Sequence, residues 1–302
     1  MAKAASLDES ALAPQADELP AADWPHRALW ERVKDALSVL PEHFAFPTII
    51  EGVPAPDIPS ANTFLGSGIE AHIPKALNRM REMWDPEGKY EDFAFVRQPQ
   101  VFPDVPFRQI KPDGETLFAL EIKSWYALAR EREPSLRITV NSKWCHPADL
   151  VVVYPWALSN AIAGRAMLFP PFVTGCRTAA RVRNAYWDSR GKTPADKKVL
   201  PPKDAAKFWP SKGSEFNDSA PADKGGNFGR LARTGVMDAF ITRLFAEQVI
   251  ADIPLGSWQK FLTIYAASGS LDNLAMELKD GFPKSESVLK KLHEIIGAAL
   301  AE

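Results

Sequence analysis

The chain holds two cysteines, Cys145 and Cys176, in 302 residues. That excludes a four-cysteine zinc site and a disulfide framework, and the pair reads as reduced thiols of a cytoplasmic protein. Long apolar runs are also missing: no stretch of about 18 apolar residues occurs, so the sequence predicts no membrane span. Neither sign of charge dominates, since 36 Lys and Arg face 38 Asp and Glu for a formal net charge of -2. Contact with nucleic acid would then need a local basic patch rather than the field of the whole protein. The first 23 residues lack a compact apolar segment and carry acids, which argues against a secretory signal. They read as a mobile acidic leader rich in Ala and Pro.

Proline and tryptophan are plentiful instead, at 26 and 9 residues. The prolines imply many extended and turn segments. Residues 24–40 place Ala28, Leu29, Trp30, Val33, Ala36, Leu37 and Leu40 at helical spacing, and Pro41 is expected to end that helix. Leu65, Ile69, Ile73, Leu77 and Met80 predict a second helix, with a kink or fresh start at Pro74. From residue 92 the period shortens. Residues 92–98, 104–110 and 117–124 read as strands, and Pro112-Asp113-Gly114 predicts a hairpin turn in which Gly114 takes positive φ.

Residues 125–133 then read as a helix, 149–158 and 165–173 as strands, and 176–187 as a basic helix with Ala179, Val182 and Tyr186 on one face. Residues 188–230 carry nine Lys or Arg against six Asp or Glu and few aliphatics, which predicts a loop. After Gly235 the pattern is helical again. The chain thus divides into a leader over 1–23, a core with N-terminal helices over 24–187, a polar basic insertion over 188–234 and a helical region over 235–302. This order predicts an α/β (α+β) fold with a mixed central sheet flanked by helices.

One constellation carries chemistry. If 104–110 and 117–124 pair as a hairpin turning near 113, Asp104 and Glu121 meet at its open end. Side chains alternate along a strand, so Glu121 and Lys123 share a face. Two close carboxylates repel and call for a cation, and oxygen ligands suit Mg²⁺. A neighbouring ammonium can orient a metal-bound water and stabilise charge developing on a phosphate. The pattern acid-x-Lys also occurs at Glu87–Lys89, Asp196–Lys198 and Glu277–Lys279, but only Glu121 follows an apolar strand. Asp113 belongs to the turn at the far end of the hairpin.

Other features have plainer readings. Cys145-His146 reads as a buried small residue beside a surface histidine, because no second Cys/His cluster accompanies it. Gly225-Gly226 and Gly229 lack the Gly-Lys-Ser/Thr ending of a phosphate loop. Arg177, Arg181, Arg183 and Arg190 form either a solvated helix face or a set of phosphate contacts.

Pro103-Asp104, sixteen intervening residues and Glu121-Ile122-Lys123 on an apolar strand resemble the PD-(D/E)XK nuclease superfamily. The resemblance spans roughly residues 60–187. It implies a restriction-endonuclease-like core with helical N- and C-terminal additions. Asp104 and Glu121 would bind Mg²⁺, with Mn²⁺ as a substitute, and Lys123 would serve the attacking water. Glu70 matches an acid that many members carry on the helix before the first strand. The implied protein is a Mg²⁺-dependent DNA endonuclease, most like a type II restriction enzyme, acting as a homodimer on double-stranded DNA. The alternatives are a repair, phage or mobile-element nuclease of the same superfamily, or a non-catalytic DNA-binding or interaction module. The site residues are expected at an exposed sheet end.

Overall fold

A computed structural model describes residues 19–51, 58–98, 102–129, 134, 145–188 and 231–267, with short pieces at 280, 287–292 and 294. The first helix, α1 (Arg27–His43), buries Leu29, Trp30, Val33, Ala36, Leu37 and Leu40. These positions recur at the three- and four-residue spacing of one helical face. Ala28, read from the sequence as part of that face, is exposed. Pro41 does not end α1. A proline lacks the N–H that would bond the carbonyl four residues back, here that of Leu37. The Tyr154 hydroxyl donates to that same carbonyl at 2.8 Å, so the freed acceptor is satisfied from the sheet.

The two-residue strand β1 (Ile49–Ile50) lies within a proline-rich stretch. Helix α2 (Ile58–Arg79) passes through Pro74 without interruption, and α3 (Arg81–Trp84) follows one turn residue later. Strands β2 (Phe93–Phe95), β3 (Val105–Gln109), β4 (Thr116–Tyr126) and β5 (Leu150–Leu158) come next. The helix expected over 125–133 is corrected over its described part: Trp125 and Tyr126 stay in β4, because they pair with Pro155 and Trp156 of β5, and 127–129 form a turn. Residues 130–133 lie outside the described ones. The single strand expected over 165–173 is two, β6 (Gly164–Leu168) and β7 (Phe172–Gly175). Pro170 and Pro171 stand between them and cannot donate to a ladder.

Helix α4 (Cys176–Asp188) carries the basic segment. The C-terminal helix expected from residue 236 ends at Glu247 as α5 (Asp238–Glu247). Strands β8 (Val249–Ile250) and β9 (Ile253–Pro254) form a hairpin there, followed by α6 (Leu255–Ala267). Ala251 and Asp252 both have positive φ, the conformation of the tightest hairpin turns.

Among the described residues seven strands form one mixed sheet in the order β1–β6–β5–β4–β3–β2, with β7 also paired to β5. The β2–β3 and β3–β4 pairs are antiparallel and β4–β5 is parallel. In the β3–β4 turn, Asp113 rather than Gly114 takes the left-handed conformation, at φ 53°. Gly114 is needed for another reason: a Cβ there would lie 2.5 Å from the Gln109 carbonyl oxygen.

The core is aromatic where β2, β3 and β4 meet. Phe95, Phe107 and Phe118 stand in register across three strands. Their ring centroids are 4.8 Å and 5.2 Å apart, and Trp84 closes on Phe107 at 5.4 Å. Asn78 fixes α2 to the outer strand, since its side-chain amide donates to the Phe95 carbonyl and accepts from the Phe95 N–H, each at 2.9 Å.

At the start of β5 a buried carboxylate replaces missing ladder partners. Asp149 accepts from the Ala119 N–H of β4 and from the His146 N–H, both at 2.8 Å. His146 is half-buried rather than on the surface. Its Nδ1 accepts from the Ala148 N–H, which requires an unprotonated nitrogen. Burial, and then the Arg177 charge, push its pKa down to about 4.

An unfolded imidazole titrates near the ordinary 6.5. The unfolded chain therefore binds a proton that the folded chain refuses. Stability is full above about pH 6.5 and falls as pH drops from there towards the folded value. The urea midpoint of the wild type is expected to fall more than that of His146→Gln between about pH 7 and 5. Equal falls would place the acid sensitivity elsewhere.

Candidate active site

Strand β3 ends opposite Leu120, where Val105 is its last paired residue, and β4 runs on to Tyr126 paired only with β5. Beyond that point the N–H groups on the free edge of β4 need acceptors. Carboxylates supply them. The Ile122 N–H donates to Asp104 Oδ2 at 3.1 Å, and the Ser124 N–H donates to Glu70 Oε1 at 2.9 Å. The Asp104 N–H in turn donates to Glu121 Oε2 at 3.3 Å. A strand that outlasts its neighbour thus gathers three carboxyl groups.

Lys123 joins them. Its Nζ lies 2.6 Å from Glu121 Oε1 and 3.3 Å from Asp104 Oδ2. The four residues read from the sequence, Glu70, Asp104, Glu121 and Lys123, are therefore brought together. Their expected exposure is corrected: none of the four is exposed, Glu70, Asp104 and Lys123 are half-buried, and the Glu121 side chain is only 6% exposed. Burial against the sheet dominates its chemistry and pushes its pKa up to about 7, with Lys123 opposing the shift and Asp104 adding to it. Glu70 is also raised, by burial first, and it lies near enough for the charges of Lys123 and Asp104 to act on it. Burial works against the Lys123 ammonium, but the Glu121 and Asp104 carboxylates outweigh it and hold its pKa above the ordinary value.

Three carboxyls facing one ammonium leave an excess of negative charge, and every donor that could face a cation is oxygen. That set fits a hard divalent ion. Among the described residues no three His, Cys, Asp or Glu side chains have the spacing of a preformed metal cage. Asp104 and Glu121 are gathered on Lys123 instead.

The arginines divide. Arg183 is fully buried, and its Nε and Nη2 donate to Asn184 Oδ1, so it does not stand on a solvated helix face. The Arg177 Nε donates to the Cys145 carbonyl at 2.9 Å. Arg181 is half-buried, and Arg190 lies outside the described residues. Cys145 and Cys176 are buried thiols outside any disulfide, and burial pushes both up, so neither is poised as a nucleophile.

Sequence reasoning missed Ser124, which meets Glu70 twice, through its N–H and through Oγ at 3.1 Å. The only sequence signal was its place after Glu121-Ile122-Lys123. Among the described residues no helix is long and apolar enough to cross a membrane. Comparison of the chain with known protein families, curated proteins and solved structures finds no match.

Proposed function

We propose that this protein is a Mg²⁺-dependent DNA endonuclease of the PD-(D/E)XK type, with Mn²⁺ able to replace Mg²⁺. Its substrate is double-stranded DNA, its setting a restriction-modification system in the cytoplasm, and its working form a homodimer. The observation that supports this reading is the meeting of Glu70, Asp104, Glu121 and Lys123 where β4 outruns β3. The antiparallel β2–β3–β4 order followed by parallel β5 agrees with it.

Asp104 and Glu121 would hold the metal through carboxyl oxygens, with Glu70 beside them. Bound there, Mg²⁺ would lower the pKa of a coordinated water and offset charge on the phosphate. Lys123, whose Nζ lies 2.6 Å from Glu121 Oε1 and 3.3 Å from Asp104 Oδ2, would stand beside the attacking water or a phosphate oxygen and donate hydrogen bonds to it.

Digestion of mixed DNA with Mg²⁺, followed by sequencing of the ends, tests the proposal. Ends at a fixed short sequence support a restriction enzyme, and ends without sequence preference support a repair-type nuclease. No ends above an EDTA control would leave a non-catalytic module. For the basic helix, Arg181→Ala is expected to weaken DNA binding and lower its salt slope by about one. An unchanged slope would make Arg181 a solvated residue only.

A further inference from the structure

Among the described residues the Ser124 hydroxyl has one partner, Glu70. Both Ser124 donors, N–H and Oγ–H, converge on the single oxygen Oε1, at 2.9 Å and 3.1 Å. Donors prefer the plane of an sp² oxygen, so two of them on one carboxyl oxygen restrict how the group can turn. Gly66, one helical turn before Glu70 on α2, makes the approach possible. A Cβ at Gly66 would lie 2.9 Å from Ser124 Oγ, so any side chain there must push the hydroxyl aside. The helix backbone comes this close to β4 at the point where β3 has ended.

We infer that Ser124, in the space that Gly66 leaves, is a positioning residue that aims the free oxygen of Glu70 into the metal site. The inference rests on the nuclease reading, in which Glu70 stands beside the metal held by Asp104 and Glu121. Ser124 itself touches neither metal nor substrate and acts through Glu70. Groups that orient a metal's ligands commonly change affinity by about 10- to 100-fold when removed. Ser124→Ala keeps the backbone donor and loses only the hydroxyl, so the low end of that range applies.

The test is calorimetric titration of the full chain with Mn²⁺, alongside the Mg²⁺ concentration that half-saturates plasmid cleavage. Ser124→Ala is expected to weaken Mn²⁺ binding about tenfold and to raise the half-saturating Mg²⁺ by a similar factor, with a smaller change in the maximal rate. Gly66→Ala is expected to do the same by displacing the hydroxyl. The double variant Ser124→Ala/Glu70→Gln should bind Mn²⁺ no more weakly than Glu70→Gln alone, because Ser124 acts only through that carboxylate. Additive losses in the double variant, or unchanged Mn²⁺ binding by Ser124→Ala, would overturn the inference. If Gly66→Ala fails to fold, the Ser124→Ala and double-variant titrations decide alone. Asp104→Asn separates the two levels. If it too leaves Mn²⁺ binding and cleavage unchanged, the nuclease reading fails. If it abolishes both while Ser124→Ala changes neither, only the role of Ser124 fails.

Discussion

Asp104→Asn is expected to lose DNA cleavage by at least about 10²-fold, the scale of one electrostatic contact made in the transition state. Its fold should persist, because an Asn oxygen can still accept from the Ile122 N–H that Asp104 now satisfies. DNA affinity, read by gel shift with Ca²⁺ in place of Mg²⁺, should stay within roughly tenfold, since phosphate contacts elsewhere dominate binding. Lys123→Ala should lose cleavage on the same scale but also melt lower. It removes the partner 2.6 Å from a Glu121 carboxyl that is almost fully buried. Breaking such a pair leaves an uncompensated buried charge. The double variant Lys123→Ala/Glu121→Gln should therefore melt above Lys123→Ala alone. A Lys123→Ala that cleaves at full rate would remove the ammonium from the mechanism.

The largest expected effect on stability is at Phe107. Its ring is fully buried between Phe95 and Phe118, with Phe93 at 5.4 Å and Trp84 at 5.4 Å. Phe107→Ala leaves a cavity bordered by the rings of Trp84, Tyr90, Phe93, Phe95 and Phe118, and about 3–5 kcal/mol of stability is expected to go. That lowers the thermal midpoint by roughly ten degrees for a chain of this size. Phe107→Leu keeps most of the volume and should cost about 1.5 kcal/mol or less. The same strand begins one residue after Asp104, so Phe107→Ala is also expected to loosen the site before the sheet melts. A loss below about 1 kcal/mol would contradict the central place given to this ring.

The hairpin that carries the site was legible because two independent signals agree: Pro112-Asp113-Gly114 marks the turn, and apolar residues flank it on both sides. Together they place Asp104 and Glu121 at one end of the hairpin. The direction of Glu70 was not legible. It depends on how closely α2 approaches β4, which Gly66 and Ser124 decide from positions far apart in sequence. Burial of Glu121 was missed because β4 is covered beyond the length of β3, a fact of packing rather than of pattern.

Pro41 misled in a similar way. A helix tolerates it once Tyr154 takes the carbonyl it frees, and that hydroxyl comes from a strand more than 100 residues later. The β8–β9 hairpin was hidden because Ala251 and Asp252, unlike Asn-Gly, give little local sign of positive φ. Arg183 looked like its basic neighbours, yet its place on α4 turns it inward.

The central claim is that the cluster on β3 and β4 hydrolyses phosphodiesters with a metal bound. The most direct test is a time course of supercoiled plasmid with purified wild type and Asp104→Asn, each with Mg²⁺ and with EDTA. Nicked and linear products from the wild type with Mg²⁺ alone, and none in the other three reactions, are the predicted result. Equal cleavage by Asp104→Asn, or cleavage by the wild type in EDTA, would contradict it.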